Sequence, residues 1–206
     1  MSTARRIVIV GAGPAGVGAA IAARQQDPQA EIVLITGEAC EPYEKPPLSK
    51  AVLTGKAMPH DAPIAGPGGV GAHQITLKLS TFGHSIDRAT RSLMTQAGER
   101  IAYDVLVLTT GSINRELPMF PVGEPDIHYL RTEAEARALR AGLSRSKSLL
   151  VIGAGLIGLE VAASAAEIGI TTTVIEIAPR ILARARSRPQ AADASPMMRW
   201  CSRPAR

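Results

Sequence analysis

One short pattern occurs twice in this chain, and it limits the folds available more than anything else in the sequence. Residues 6–23, RIVIVGAGPAGVGAAIAA, pass from an apolar β-branched run through Gly11-Ala12-Gly13-Pro14-Ala15-Gly16 into an alanine-rich segment. Residues 148–160, SLLVIGAGLIGLE, repeat the order, with Gly153-Ala154-Gly155-Leu156-Ile157-Gly158 at the turn. The apolar runs read as strands buried on both faces of a parallel sheet. Alanine and leucine favour the helix that follows. In a strand-turn-helix setting, the first glycine of GxGxxG permits the tight turn. The second admits a pyrophosphate and the third lets helix and strand pack closely. The anion then lies on unpaired N–H groups at the positive end of the helix. The expected fold is α/β, with two Rossmann-like dinucleotide-binding units of which the second is incomplete.

Several other classes are disfavoured. The glycines and Pro14 interrupt the first apolar run, so it suits neither a secretory signal nor a membrane span. The expectation is a soluble, cytoplasmic protein with no membrane partner. Two cysteines among 206 residues, Cys40 and Cys201, form no CxxC pair and no disulfide framework. Four scattered histidines offer no metal-ligand spacing, so no metal site is expected. The formal charge of +5 is concentrated at the end. Six of the 23 basic and one of the 18 acidic residues lie from Arg184 onward, which leaves 17 of each elsewhere. A neutral body gives no reason to expect nucleic acid.

Between the two motifs, Gln25 to Pro28 ends the first helix and Glu31 to Thr36 forms the next strand. Glu38 follows at the place where dinucleotide folds put an acid on the adenosine ribose, an ordinary exposed loop glutamate being the other reading. Pro46-Pro47 forbids a regular helix through the segment and leaves Lys50 at the start of whatever Ala51 begins. Residues 56–74 read as an irregular loop. Gln74 to Leu79, Ile86 to Asp87 and Ser92 to Thr95 read as short strands of a small antiparallel insertion. Gly98 to Arg100 makes a hairpin turn, and Ile101 to Leu108 is a strand delivering Thr110-Gly111 at its end. Glu133 to Leu143 has amphipathic helical spacing. After the second motif come a helix over Leu159 to Ile168, Gly169 as its cap and a strand over Thr171 to Ile175. Glu176 is then placed for a second ribose. An acid there favours NADH over NADPH, although Arg180 leaves NADPH open.

Glu41 to Lys50, EPYEKPPLSK, resembles the YxRPPLSK segment of FAD-dependent, NAD(P)H-oxidising ferredoxin reductases of the oxygenase-coupled type. These belong to the pyridine nucleotide-disulfide oxidoreductase superfamily and are related to rubredoxin reductases. Ser49 and Lys50 stand where related disulfide reductases carry a redox cysteine. Lys45 replaces the usual arginine, keeping the charge without the bidentate fork. Residues 103–111 are similar to that family's YDxLVxATG strand, with Thr109 in place of alanine. The resemblance implies that Gly11, Gly13, Pro14, Ala15, Gly16, Glu38, Lys45, Lys50, Gly83, Thr110, Gly111 and Arg131 hold FAD. It implies NAD(P)H at Gly153, Gly155, Leu156, Ile157, Gly158 and Glu176. Gly83 occupies a position where the family usually has valine. Lys50 and Glu160 are implied as a charge pair beside the flavin, a capped or salt-bridged helix glutamate being the other reading of Glu160.

The resemblance covers residues 5–182. Residues 184–206, rich in Arg, Pro, Ala and Ser, are too poor in apolar periodicity to be expected to order. The expected division is an FAD-binding domain over residues 1–115, a partial NAD(P)-binding domain over 116–183 and a basic disordered tail over 184–206. A truncated or frameshifted end and weak activity are expected with it, a basic functional tail being the alternative. The implied activity is an NAD(P)H:ferredoxin or rubredoxin reductase, with a ferredoxin-like iron–sulfur protein as electron acceptor. A nitrite-reductase-type or NADH-oxidase-type flavoprotein, and a non-catalytic nucleotide-binding fragment, remain the other readings.

Overall fold

The computed structural model describes residues 4–182 and the backbone of residues 198–202. It divides into two units, Met1–Glu44 with Pro59–Ile113, and Lys45–Met58 with Asn114–Arg206. The first unit ends at Ile113. The segment Lys45–Met58, however, goes with the second unit rather than the first. Leu53 explains the assignment, because it is fully buried among Leu139, Leu143, Val151 and Ala162.

In the first unit, β1 (Arg6–Val10), β2 (Glu31–Ile35), β3 (Thr76–Lys78) and β7 (Val105–Leu108) form a parallel sheet in the order β3-β2-β1-β7. Helix α1 (Pro14–Gln26) joins β1 to β2. Alternate residues of the strands enter different cores. Ile7, Ile9, Ile32 and Leu34 pack with Val17 and Ala20 of α1. Val8, Val33 and Ile35 pack instead with Leu93 and Ile101. These last two belong to an antiparallel sheet of β4 (Gly83–Asp87), β5 (Ser92–Thr95) and β6 (Arg100–Ala102). Strands β1 and β2 are thus covered on both faces, which is what their unbroken apolar runs require.

Two expectations need correction. The strand within Gln74 to Leu79 is not part of the antiparallel insertion: β3 pairs parallel to β2, Leu34 opposite Leu77. The apolar stretch from Ile101 to Leu108 is two strands in two sheets. It breaks at Tyr103-Asp104, where Asp104 Oδ2 accepts from the Arg6 backbone N–H at 2.7 Å. The Asp104 N–H in turn donates to the Arg6 carbonyl at 2.9 Å. A local run of hydrophobic residues cannot report this change of sheet.

The second unit holds β8 (Ser148–Ile152), β9 (Thr171–Glu176) and β10 (Met198–Ser202), all parallel, in the order β10-β9-β8. It also holds the short helix α2 (Ala51–Thr54), α3 (Glu133–Leu143) and α4 (Leu156–Glu167). Val151 and Val174 of the sheet pack on Val161, Ala162 and Ala165 of α4. On these strands Leu150, Ile152 and Ile175 are exposed. Strand β10 contradicts the expectation of a tail without structure at this point. Its backbone pairs with β9 from Met198–Thr172 to Ser202–Glu176. Composition missed it because an open strand edge offers backbone donors and acceptors to any extended segment, whatever its side chains. The rest of the expected tail lies outside the described residues.

The amphipathic helix stands where expected, and its start is closed by a capping box. Glu135 N–H donates to Thr132 Oγ1 at 3.3 Å, while Glu135 Oε2 accepts from the Thr132 N–H at 2.8 Å.

Candidate dinucleotide corners and a serine-lysine turn

The two glycine turns have nearly the same local geometry in their separate units. Gly11 and Gly153 both have φ of +103°, a conformation glycine adopts without the steric cost of a side chain. Each turn is tied to the end of the neighbouring strand. The Gly11 N–H donates to the Ile35 carbonyl at 2.9 Å and the Gly153 N–H to that of Ile175 at 2.7 Å. At the third glycines there is no room for a side chain. A Cβ on Gly16 would lie 1.8 Å from the Gly11 carbonyl oxygen, and one on Gly158 would lie 2.1 Å from that of Gly153. At the second glycines, Gly13 and Gly155, a Cβ would meet nothing within 4 Å among the described residues. Gly13 and Gly155 are also the N-caps of α1 and α4, and no side chain caps either helix.

Open space at the second glycine, together with the unpaired first-turn N–H groups of the helix, is what a pyrophosphate needs. The residues of both corners therefore fit a dinucleotide. In the first, Pro14 opens α1 at a position where its missing N–H costs nothing, and Ala15 follows it. In the second, Leu156 and Ile157 occupy the opening turn with exposed side chains.

The strand-end acids sit where the spacing puts them, and each already has a protein partner. Glu38 accepts from the Tyr43 hydroxyl at 2.6 Å. Glu176 Oε2 accepts from the Ala154 N–H inside the second glycine turn at 2.8 Å, and Oε1 from the Ala178 N–H at 2.9 Å. Glu176 thus fixes the turn as well as standing at the strand end. Thr109 is a corner residue that sequence reasoning did not single out. Its hydroxyl lies 2.9 Å from the Val10 carbonyl oxygen and 2.8 Å from that of Gly11, and so pins the first turn to β7. Its departure from the family alanine was the available signal. Gly111 follows with φ of +68°, just beyond Thr110. At Gly83 a Cβ would lie 3.3 Å from Leu93, a tight fit for the usual valine.

The segment carrying Lys50 is a 3₁₀ turn, Pro46–Ser49, leading into α2. The two prolines do not exclude helical geometry altogether, because they occupy its first positions, where no N–H is needed. The turn places Lys50 Nζ 2.8 Å from Glu160 Oε2, with Ser49 Oγ donating to the same oxygen at 2.5 Å. Burial raises the pKa of Glu160, but the hydrogen bonds from Lys50 and Ser49 and the Lys50 charge outweigh it. The carboxyl is held below its ordinary value. The charged partner of Glu160 in the structure is Lys50. Nearby, Lys45 Nζ donates to the Arg131 carbonyl at 3.3 Å, so the lysine that replaces an arginine braces the backbone of Arg131.

Comparison with known proteins agrees with this geometry. Rubredoxin-NAD(+) reductase of Pseudomonas putida is 42% identical over 178 residues, which are 86% of this chain and 46% of the relative. Rhodocoxin reductase of Rhodococcus erythropolis is 40% identical over 88% of this chain and 42% of its own length. Among solved structures, the putidaredoxin reductase–putidaredoxin complex superposes with a TM-score of 0.80 at 35% identity, over 90% of this chain and 45% of that one. A ferredoxin reductase of Rhodopseudomonas palustris gives 0.81 at 40% identity, over 88% and 45%. The chain therefore spans less than half the length of these relatives. No helix among the described residues is long and apolar enough to cross a membrane. The family described as pyridine nucleotide-disulphide oxidoreductase matches residues 5–196, a span that takes in both glycine corners and the serine-lysine turn. On that match, the chain belongs to the pyridine nucleotide-disulphide oxidoreductase family.

Proposed function

We propose that this chain carries the FAD-binding unit and part of the NAD(P)H-binding unit of a cytoplasmic ferredoxin- or rubredoxin-type reductase. The observation that carries the proposal is the duplicated corner: two turns with the same positive φ, a closed third glycine and an open second one. One corner per cofactor is the minimum such a reductase needs. Gly11, Gly13, Pro14, Ala15, Gly16 and Gly111 would shape the FAD corner, with Glu38 for its ribose. Gly153, Gly155, Leu156, Ile157, Gly158 and Glu176 would shape the nicotinamide dinucleotide corner. Glu176 favours NADH, because a 2′-phosphate beside a carboxylate is repelled. Bound FAD supplies the exchange between hydride chemistry and one-electron transfer, which no protein side chain can provide.

The protein's own contribution is binding and electrostatics. Lys50 and Glu160 present an ion pair of no net charge, in which each ion is compensated by the other. Lys45 would steady Arg131, and Gly83 and Thr110 would line the FAD side through their backbones. The electron acceptor is a ferredoxin-like iron–sulfur protein. The named partners of the relatives support that choice, in particular the putidaredoxin joined to its reductase.

The test is to purify the chain, saturate it with FAD, remove excess flavin and add NADH without oxygen. Retained yellow absorbance that bleaches on NADH is the expected result. A colourless protein that retains neither nucleotide would overturn the proposal. Flavin retained without bleaching would favour the second reading, a nucleotide-binding piece without turnover.

A further inference from the structure

Ser49 is gripped twice by one helix. Its hydroxyl donates to Glu160 Oε2 at 2.5 Å, and its carbonyl oxygen accepts from Ser164 Oγ at 2.7 Å. Glu160 and Ser164 are one turn apart on α4 and so lie on the same face. Both serines are buried, at 5% exposure. The Ser49 hydroxyl also lies 3.4 Å from the Pro46 carbonyl, but its single proton goes to the nearer, charged acceptor.

The Ser164 hydroxyl is not explained by packing. Its neighbours in VAASAAE are alanines, and alanine is the better helix former. A helical serine usually turns its hydroxyl back to a carbonyl of its own helix. This one bonds outside the helix, to the residue before Lys50. The Lys50 side chain is half exposed and has a flexible four-carbon stem, so the ion pair alone is a weak restraint. Holding Ser49 by both its carbonyl and its hydroxyl fixes the base from which that stem starts.

We propose that Ser164 is a positioning residue that acts through Ser49 to set the Lys50 ammonium on the Glu160 carboxylate. Its relevance to flavin chemistry rests on the proposed function, but the brace itself does not. Other cations near this face are engaged elsewhere. Lys45 reaches the Arg131 carbonyl, Lys56 pairs with Glu167, and the Arg140 guanidinium lies against Gly55.

The experiment is a carbon-13 carboxyl titration of the full chain without added cofactor, with the Glu160 signal assigned by Glu160→Gln. Ser49→Ala removes a direct hydrogen bond and serves as the reference for a raised midpoint. Ser164→Ala never touches the carboxylate. It is expected to raise the Glu160 midpoint by roughly half a unit, about a 3-fold change in the proton-binding constant. Backbone amide spectra confirm that the fold is kept, as alanine in this helix should ensure. An unchanged Glu160 midpoint in folded Ser164→Ala overturns the inference. Because no flavin is needed, failure of the chain to bind FAD would count against the proposed function and leave this result standing.

Discussion

Glu160 is under two opposing influences, and the balance between them makes a pH prediction. Burial favours its neutral form; Lys50 and Ser49 favour the carboxylate and prevail. A carboxyl whose folded pKa is depressed stabilises the fold above its ordinary value of 4.5. That contribution fades as pH falls through the lower folded value. In Lys50→Met the Glu160 midpoint should rise. Stability at neutral pH should fall by about 1 kcal/mol, discounted because Lys50 is half exposed. Urea unfolding at neutral pH and near pH 3 checks both parts, and the wild-type advantage should shrink at the acid end. The first corner offers a second residue-scale test. Thr109→Val keeps the shape of the side chain but removes the hydroxyl shared between Val10 and Gly11. It should cost roughly 1–2 kcal/mol, read as a lower midpoint of chemical denaturation.

At the scale of elements, the glycine corners separate folding from binding. Gly16→Ala drives a methyl into the Gly11 carbonyl, and Gly158→Ala does the same to Gly153. Each should lose about 2–4 kcal/mol or fail to fold, which thermal unfolding would show. Gly13→Ala and Gly155→Ala add a methyl to open space. They should keep the melting temperature within a few degrees while weakening retention of flavin and of NADH respectively. A loss of stability at Gly13 equal to that at Gly16 would refute this division of roles. Helix α3 gives an independent check of capping. Thr132→Ala removes the hydroxyl that accepts from the Glu135 N–H, leaves the backbone half of the box in place, and should cost about 1 kcal/mol.

At the scale of the whole molecule, the chain is two units whose sheets are completed in different ways. The first has four parallel strands, with an antiparallel layer packed against the strand residues that point away from α1. In the second, β9 lies between β8 and β10, while Leu150, Ile152 and Ile175 remain exposed. Removing residues 183–206 should leave one edge of β9 unpaired. Amide exchange should then quicken on β9 and stay unchanged on β1, as hydrogen-exchange mass spectrometry would report. Equal protection of β9 with and without the segment would show that its pairing with β10 adds nothing.

The sequence by itself determined the two corners, because their requirements are local: a tight turn, a close contact and an open face each demand glycine within six consecutive residues. It also determined α3, since amphipathic spacing and a capping box are properties of neighbouring residues. Only the tertiary structure decided that β3 joins the parallel sheet, that Ile101 to Leu108 changes sheets at Tyr103-Asp104, and that β10 lies beside β9. It also decided that Lys45–Met58 belongs with the second unit and that Ser49, Lys50, Glu160 and Ser164 meet. More than 100 positions separate Lys50 from Glu160. Hydrogen bonds and ion pairs act over a few ångströms, and no spacing along the chain encodes which distant residues the fold brings that close.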